Sequence, residues 1–108
     1  DGEIVRDFVH VDDVAEAFRK LCDVEQVPEE AIDIGSGEGS TILDVARILI
    51  ATLGLPDERY QISGDFRPGD IRYARADTTA AARLLDWSAD TPLEEGLAGL
   101  AAWARTLQ

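Results

Sequence analysis

Short β-type stretches alternate with helical stretches along this chain of 108 residues, and that alternation constrains its fold more than any other feature. The segments 4–11, 31–34 and 59–63 contain β-branched and aromatic residues that are typical of strands. Between them, apolar residues recur at helical spacing from Val14 to Cys22 and from Ile42 to Leu53. The order β-α-β-α-β, followed by two more helices, predicts a layered α/β arrangement. A further short strand is predicted at 71–74.

Polar residues predict where each helix begins. The expected capping residues are Asp12 and Asp13 for the first helix, Thr41 with Asp44 for the second, Asp77 for the third, which runs to Leu85, and Thr91 with Pro92 and Glu94 for the last. Cys22, Trp87 and Trp103 stand at or beside apolar helical positions and are predicted to be core residues.

The charge balance excludes some classes of partner. The chain holds 22 Asp and Glu residues against 10 Lys and Arg residues, which gives a formal net charge of −12 at pH 7. Such a field repels nucleic acid and anionic lipid, so we expect no nucleic-acid partner and no membrane association. No apolar run is long enough to cross a bilayer, and no signal peptide is recognisable, so a cytoplasmic location is expected.

The counts of single residue types limit the chemistry that this chain can do alone. One cysteine, Cys22, and one histidine, His10, cannot form a disulfide or complete a Cys/His zinc site. The single lysine, Lys20, follows Arg19 and excludes a phosphate loop of the GxxxxGK type. Because Glu16 stands four residues before Lys20, a Tyr-x-x-x-Lys pair is also absent. The chain is therefore poorly equipped to do chemistry alone, and no metal site is expected in it.

A glycine cluster, Gly35-x-Gly37-x-Gly39, follows a predicted strand and precedes a helix. Glycines in that context let a backbone approach the pyrophosphate of a dinucleotide. The third glycine of a GxGxxG fingerprint would fall at Ser40, however, and the chain is too short for a whole dinucleotide fold. A structural turn between strand and helix is therefore the favoured interpretation.

Three of the nine arginines of this acidic chain are gathered in one polar segment, and a fourth lies in a predicted strand. Arg6 lies in the first predicted strand, and Arg67, Arg72 and Arg75 lie in one polar segment. Guanidinium groups suit diphosphate oxygens, but the same groups pair with surface carboxylates such as that of Asp70. Judged from spacing alone, ion pairing is slightly favoured for all of them. His10, on an alternating strand, is predicted to be structural rather than catalytic.

Four ordered motifs give the chain a family resemblance. Arg6–Ala15 resembles the "RDFVHVDDVA" stretch of extended short-chain dehydrogenases/reductases, Ile32–Gly37 resembles their "FNIGSG" turn, and Arg67–Arg72 resembles their "RPGDVR" loop. The residues from Ala76 to Leu97 resemble "ADISKARELLGW…SLEEGL". The branch is that of the NAD-dependent sugar-nucleotide epimerases and dehydratases, and the likeness covers essentially the whole chain.

The resemblance implies that residues 1–108 are the C-terminal, substrate-binding portion of a Rossmann-type enzyme. The dinucleotide-binding domain and the catalytic Tyr-x-x-x-Lys pair would lie upstream, and NAD or NADP would be bound mainly there. By the family's pattern, Arg6 and Arg67 would contact the diphosphate of a nucleoside-diphosphate sugar (a UDP- or dTDP-hexose), and Asp70 would lie near its ribose or base. The family pattern thus reverses the ion-pair preference at Arg6 and Arg67 but not at Arg72 and Arg75.

The resemblance also implies an NAD(P)-dependent epimerase or 4,6-dehydratase that forms a homodimer when intact, and a fragment that is inactive alone. Two positions depart from the family pattern: Asp33 replaces the usual asparagine, and Ala74 stands where some epimerases have a tyrosine. The alternative from another class is a non-catalytic acidic α/β module that binds a nucleotide or a protein. Within the family, a ketoreductase or a decarboxylase is the rival.

Overall fold

Helices and two very short strands make up the architecture of the computed structural model, which describes residues 2–107. In chain order the elements are β1 (Val5–Arg6), α1 (Val11–Asp23), β2 (Ser40–Thr41), α2 (Ile42–Leu53), α3 (Thr79–Leu85) and α4 (Leu93–Arg105). The predicted mixed α/β class is confirmed. None of the helices in the described part of the chain has the length and apolar character needed to span a bilayer.

The β structure is centred on Val5. β1 pairs with β2 in antiparallel fashion, with Val5 opposite Thr41 and Arg6 opposite Ser40. On its other edge Val5 forms a parallel bridge with Tyr73. There the Val5 N–H donates to the Arg72 carbonyl at 2.9 Å, and the Ala74 N–H donates to the Val5 carbonyl at 3.1 Å. The segment 72–74 therefore lies alongside β1, although it forms one bridge rather than the strand predicted at 71–74.

Three strand predictions are wrong in extent or in kind. The strand predicted at 4–11 is limited to Val5–Arg6, because the chain turns into α1 at Val11. The segments 31–34 and 59–63 are not strands. A strand requires a neighbour that shares its backbone hydrogen bonds, and neither segment has such a neighbour among residues 2–107. Ile32 and Ile34 nevertheless pack against the core, so the apolar alternation of 31–34 does mark a buried face.

The start of α2 agrees with the sequence prediction, and that of α3 agrees in part. Thr41 and Asp44 form a complete capping box at α2, in which each side chain accepts from the other residue's backbone N–H. Gly54 ends α2 in the left-handed region, with φ of 66°. At α3 the N-cap is Thr78, which makes no side-chain capping bond, rather than the predicted Asp77. The Asp77 carboxylate nevertheless accepts from the Thr79 N–H at 3.0 Å, and the helix ends at Leu85 as predicted.

The starts of the other two helices differ from the prediction. The N-cap of α1 is His10, whose Nδ1 accepts from the Asp12 N–H at 3.2 Å. Asp13 instead accepts from the Thr91 N–H at 3.0 Å, which links α1 to the loop before α4. Pro92 is the N-cap of α4 and makes no side-chain capping bond. Asp13 and Thr91 are hydrogen-bonded to each other and do not cap their own helices, so both of these capping predictions are wrong.

The core forms where α1 meets α3. It consists of Ala17, Ala81, Leu85 and Trp87, and the Trp87 indole N–H donates to the Asp13 carbonyl at 3.0 Å. The prediction for Trp87 is confirmed. Trp103 is 58% exposed and Cys22 is exposed, so both of those core predictions are wrong. Their helices direct these positions outward rather than toward the α1–α3 core.

Candidate functional site

Arg6, at the end of β1, extends across to the loop that carries the second arginine motif. One guanidinium nitrogen donates to the Val5 carbonyl at 2.8 Å, and the other donates to Asp70 Oδ1 at 3.0 Å. The Arg6 side chain is 29% exposed and that of Asp70 is 43% exposed. Both side chains of the pair are therefore partly exposed to solvent.

The turn 67–70 brings Arg67 and Asp70 together. The Asp70 N–H donates to the Arg67 carbonyl at 3.1 Å. Pro68 occupies the second position of this turn and Gly69 the third, with φ of 83°, which is the residue preference of a type II turn. Arg67 is exposed, and its guanidinium makes no ion pair among residues 2–107. The structure therefore joins all three residues predicted to bind substrate, Arg6 and Asp70 by contact and Arg67 through the turn.

Asp7, which the sequence analysis did not single out, is the most heavily hydrogen-bonded side chain near this site. Its Oδ1 accepts from the Ser36 N–H and the Ser36 hydroxyl, both at 2.7 Å. Its Oδ2 accepts from the Gly37 N–H at 2.9 Å and from the Ala76 N–H at 3.1 Å. The sequence does contain a signal for a structural role of Asp7, because Asp7 is an acidic residue inside the apolar β-type stretch 4–11.

The pKa of Asp7 is lowered. Partial burial is the largest single influence and acts upward, but the hydrogen bonds from Ser36, Ala76 and Gly37 together outweigh it. The pKa of Asp13 is lowered in the same way, because bonds from Thr91 and Asp90 outweigh its partial burial. Both carboxylates are therefore ionised at neutral pH and act as acceptors that join separate parts of the chain.

The glycine cluster is a turn built around Asp7. A Cβ added at Gly35 would lie 2.5 Å from the Ala76 Cβ and 2.8 Å from Asp7 Oδ2, so this position has no room for a side chain. Gly37 has φ of 76°, where glycine is favoured. The N–H groups of Ser36 and Gly37 already bind the Asp7 carboxylate, so they are not free for a pyrophosphate. This geometry supports the structural turn rather than the dinucleotide-binding interpretation.

The remaining charged residues singled out in the sequence lie apart from this pair or serve local structure. Arg75 adds to the influence of the Thr79 hydroxyl and N–H, which hold the pKa of Asp77 below its usual value. His10 caps α1 and is half-buried, as expected for a structural histidine. Among the described residues no group of three His, Cys, Asp or Glu side chains could hold a metal ion.

An apolar groove of about 440 Å³ lies between the start of α1 and α4. Its lining includes Phe8, Val11, Leu97, Leu100 and Trp103. Val11 is 72% exposed, and Leu100 and Trp103 are also largely exposed.

Comparisons with known proteins cover nearly the whole of this chain. No family model matches. The chain is 41% identical over 103 residues to the dTDP-L-rhamnose 4-epimerase of Burkholderia thailandensis, a match that spans 95% of this chain and 28% of that protein. It is 34% identical over 105 residues to the UDP-glucose 4-epimerase of Bacillus subtilis, which spans 95% of this chain and 30% of that protein.

Solved structures give the same picture. MoeE5 in complex with UDP-glucuronic acid and NAD superposes with a TM-score of 0.87 at 32% identity, over 100% of this chain and 36% of that chain. The UDP-glucose 4-epimerase of Thermotoga maritima with UDP-glucose superposes with a TM-score of 0.84 at 34% identity, over 100% of this chain and 34% of that chain. The chain thus spans about a third of the length of the proteins that it matches.

Proposed function

This chain is a homologue of part of the NAD-dependent sugar-nucleotide epimerases and dehydratases, and we propose that it is the C-terminal, substrate-binding portion of such an enzyme. The intact protein would be an NAD(P)-dependent nucleoside-diphosphate-sugar epimerase or 4,6-dehydratase. Its catalytic residues would lie in the part of the polypeptide outside residues 1–108. We further propose that the intact enzyme is a cytoplasmic homodimer and that this portion alone is inactive.

One observation supports the proposal most: the fold brings Arg6 into contact with Asp70 at 3.0 Å, although 64 positions separate them in sequence. Arg67 and Asp70 are the first and last residues of one turn. Arg6 and the exposed Arg67 thus belong to neighbouring segments of a chain with a net charge of −12, and planar guanidinium forks suit diphosphate oxygens. The Asp70 carboxylate would accept hydrogen bonds from a ribose hydroxyl or a base N–H.

These residues would supply binding energy at the nucleotide end of the substrate. That energy would hold the hexose ring in position for reaction. When bound, NAD(P) would supply the hydride acceptor. The glycine turn 35–39 does not fit a dinucleotide, because Asp7 occupies its N–H groups. We therefore propose that cofactor binding belongs mainly to the remaining part of the protein, which in the matched relatives is about two thirds of the length.

The groove between α1 and α4 also supports the proposal that a second domain of the same polypeptide binds the cofactor. Its exposed side chains, such as Val11 at 72% and Trp103 at 58%, form an apolar patch of the kind that marks an interaction surface. We propose that the dinucleotide-binding domain of the same polypeptide covers this groove.

Among the possible reactions, 4-epimerisation has the most support. The two curated relatives described above are named 4-epimerases and act on dTDP- and UDP-linked sugars by name. Product analysis of the intact enzyme with UDP- and dTDP-hexoses would separate an epimer from a 4-keto-6-deoxy product. An epimer is expected, and a dehydrated product would contradict this choice.

Arg67→Ala in the full-length protein tests the substrate-binding role. A charged hydrogen bond contributes about 1.5–3 kcal/mol, so nucleotide-sugar affinity should fall about 10- to 150-fold while NAD(P) affinity changes little. Isothermal calorimetry with a UDP-sugar and with NAD measures both. Arg59→Ala is the matched control, because Arg59 is an exposed arginine outside the motif. Equal loss of both affinities would contradict the assignment.

A further inference from the structure

Asp7 joins the three segments that frame the candidate site. Its carboxylate binds β1, to which it is attached, to the turn 35–37 and to Ala76. The turn 35–37 leads into β2, and Ala76 follows the segment that pairs with Val5. We propose that Asp7 is a positioning residue, which fixes Arg6 and the segment 70–76 for binding of the substrate diphosphate. This inference rests on the proposed function of Arg6.

The alternation of side chains along extended backbone explains how Asp7 can act through Arg6. Successive side chains of a strand point to opposite faces. Arg6 is directed to Asp70, whereas Asp7 is directed to Ser36, Gly37 and Ala76. The two adjacent side chains therefore contact different residues, and the Asp7 carboxylate restrains the backbone next to Arg6. The backbone bonds of Ile4 and Val5 hold the residues before Arg6, and Asp7 holds the residue after it.

The chemistry of the contacts requires an ionised carboxylate. Asp7 accepts four hydrogen bonds, three from backbone N–H groups and one from the Ser36 hydroxyl. Asparagine has the same shape but only one acceptor oxygen, so its amide NH₂ would face at least one backbone N–H. The described partners of Asp7 are N–H and O–H donors rather than cations. Asp7 therefore does not pair with the adjacent Arg6, whose carboxylate partner in the structure is the partly exposed Asp70.

A double-mutant cycle in the full-length protein tests this role, with UDP as the probe in calorimetry. Asp7→Asn should weaken UDP binding about tenfold in the wild-type background, as expected for a misplaced charged contact. In the Arg6→Ala background the same change should cost less than about twofold, because the group that Asp7 positions is gone. NAD affinity should be unchanged in both. A purely structural residue would weaken UDP binding equally in the two backgrounds.

Asp13→Asn is the matched control. Asp13 also accepts a backbone N–H from a distant loop, that of Thr91, but it lies on α1 away from the site. It should lower the melting temperature as Asp7→Asn does and leave UDP affinity unchanged. If Asp7→Asn does not fold, Ser36→Ala removes only the hydroxyl donor and should weaken UDP binding about two- to threefold, again only when Arg6 is present.

The outcomes separate the two proposals. Equal effects of Asp7→Asn, or of Ser36→Ala, with and without Arg6 would overturn the positioning role while leaving the proposed function intact. Unchanged UDP affinity in Arg6→Ala alone would overturn the proposed function and this inference with it.

Discussion

The candidate site has two halves that the fold holds in different ways. The half with Arg6 belongs to β1, where the Asp7 carboxylate accepts four hydrogen bonds from neighbouring segments. The half with Arg67 and Asp70 belongs to the segment 51–73, in which every residue is exposed. The Arg6–Asp70 ion pair and the backbone bonds of Val5 link the two halves. The first half is thus held by partly buried hydrogen bonds of Asp7, whereas the second is an exposed segment that these links join to it.

This contrast predicts that stability and ligand affinity respond to different residues. Changes behind β1 should affect the free energy of unfolding, because they disturb packed backbone. Changes in the turn 67–70 should affect mainly ligand binding, because little of the fold depends on an exposed segment.

The largest effect is expected for Gly35→Ala. The added Cβ would lie 2.5 Å from the Ala76 Cβ and 2.8 Å from Asp7 Oδ2, so it would force apart the segments that Asp7 joins. Overpacking of this kind costs about 1–3 kcal/mol. Urea unfolding followed by circular dichroism should show the decrease in the free energy of unfolding.

Gly69→Ala is the matched variant in the exposed half. A Cβ at Gly69 would meet no atom within 4 Å, and only its φ of 83° opposes the change. The left-handed conformation costs about 1–2 kcal/mol per residue for a side chain, at the lower end in an exposed turn that can relax. A stability loss for Gly69→Ala greater than that for Gly35→Ala would contradict the contrast between the halves.

A smaller effect is expected from acid, and its sign follows from the lowered pKa of Asp7. In the folded protein this group binds its proton only below its ordinary value of 3.8. Between the folded and unfolded pKa values the unfolded chain therefore binds more protons, and unfolding becomes easier as pH falls. The contribution of Asp7 to stability should be complete above about pH 5 and should disappear as pH falls through the folded pKa.

Unfolding of wild type and Asp7→Asn at pH 7 and at pH 3 measures that contribution. The stability difference between the two proteins should be smaller at pH 3, below the ordinary value of 3.8, because the Asp7 carboxylate of the unfolded chain is then largely protonated. A difference that is the same at both pH values would show that Asp7 stabilises the fold by shape rather than by charge.

Local signals in the sequence were reliable where the partner was also local. The capping box of Thr41 and Asp44 and the helix end at Leu85 each depend on residues within a few positions of one another. The family resemblance also predicts a site made of Arg6, Arg67 and Asp70, although their spacing in the sequence does not show that they are close in space. The structure then showed that Arg6 and Asp70 touch.

Long-range hydrogen bonds account for what the sequence did not reveal. Asp13 matches an N-cap by position, yet its carboxylate accepts from the N–H of Thr91, 78 residues away. Asp7 was overlooked because its partners at Ser36 and Ala76 are 29 and 69 positions distant. The core predictions for Cys22 on α1 and Trp103 on α4 are wrong for a related reason, since helical periodicity shows which side of a helix is apolar but not what covers it.

The smallest effect on stability is expected for Asp70→Asn, which breaks the ion pair between Arg6 and Asp70 that joins the two halves. With side chains 29% and 43% exposed, the pair should contribute at most about 1 kcal/mol. Asp65→Asn, on the same exposed segment, is the control, and thermal unfolding at low and high salt is the measurement. The two variants should differ slightly at low salt and converge at high salt, because salt screens exposed charges. A loss as large as that of Gly35→Ala would mean that the exposed half supports the fold. A small loss instead leaves Arg6 free to exchange its carboxylate partner for a diphosphate at little cost to stability.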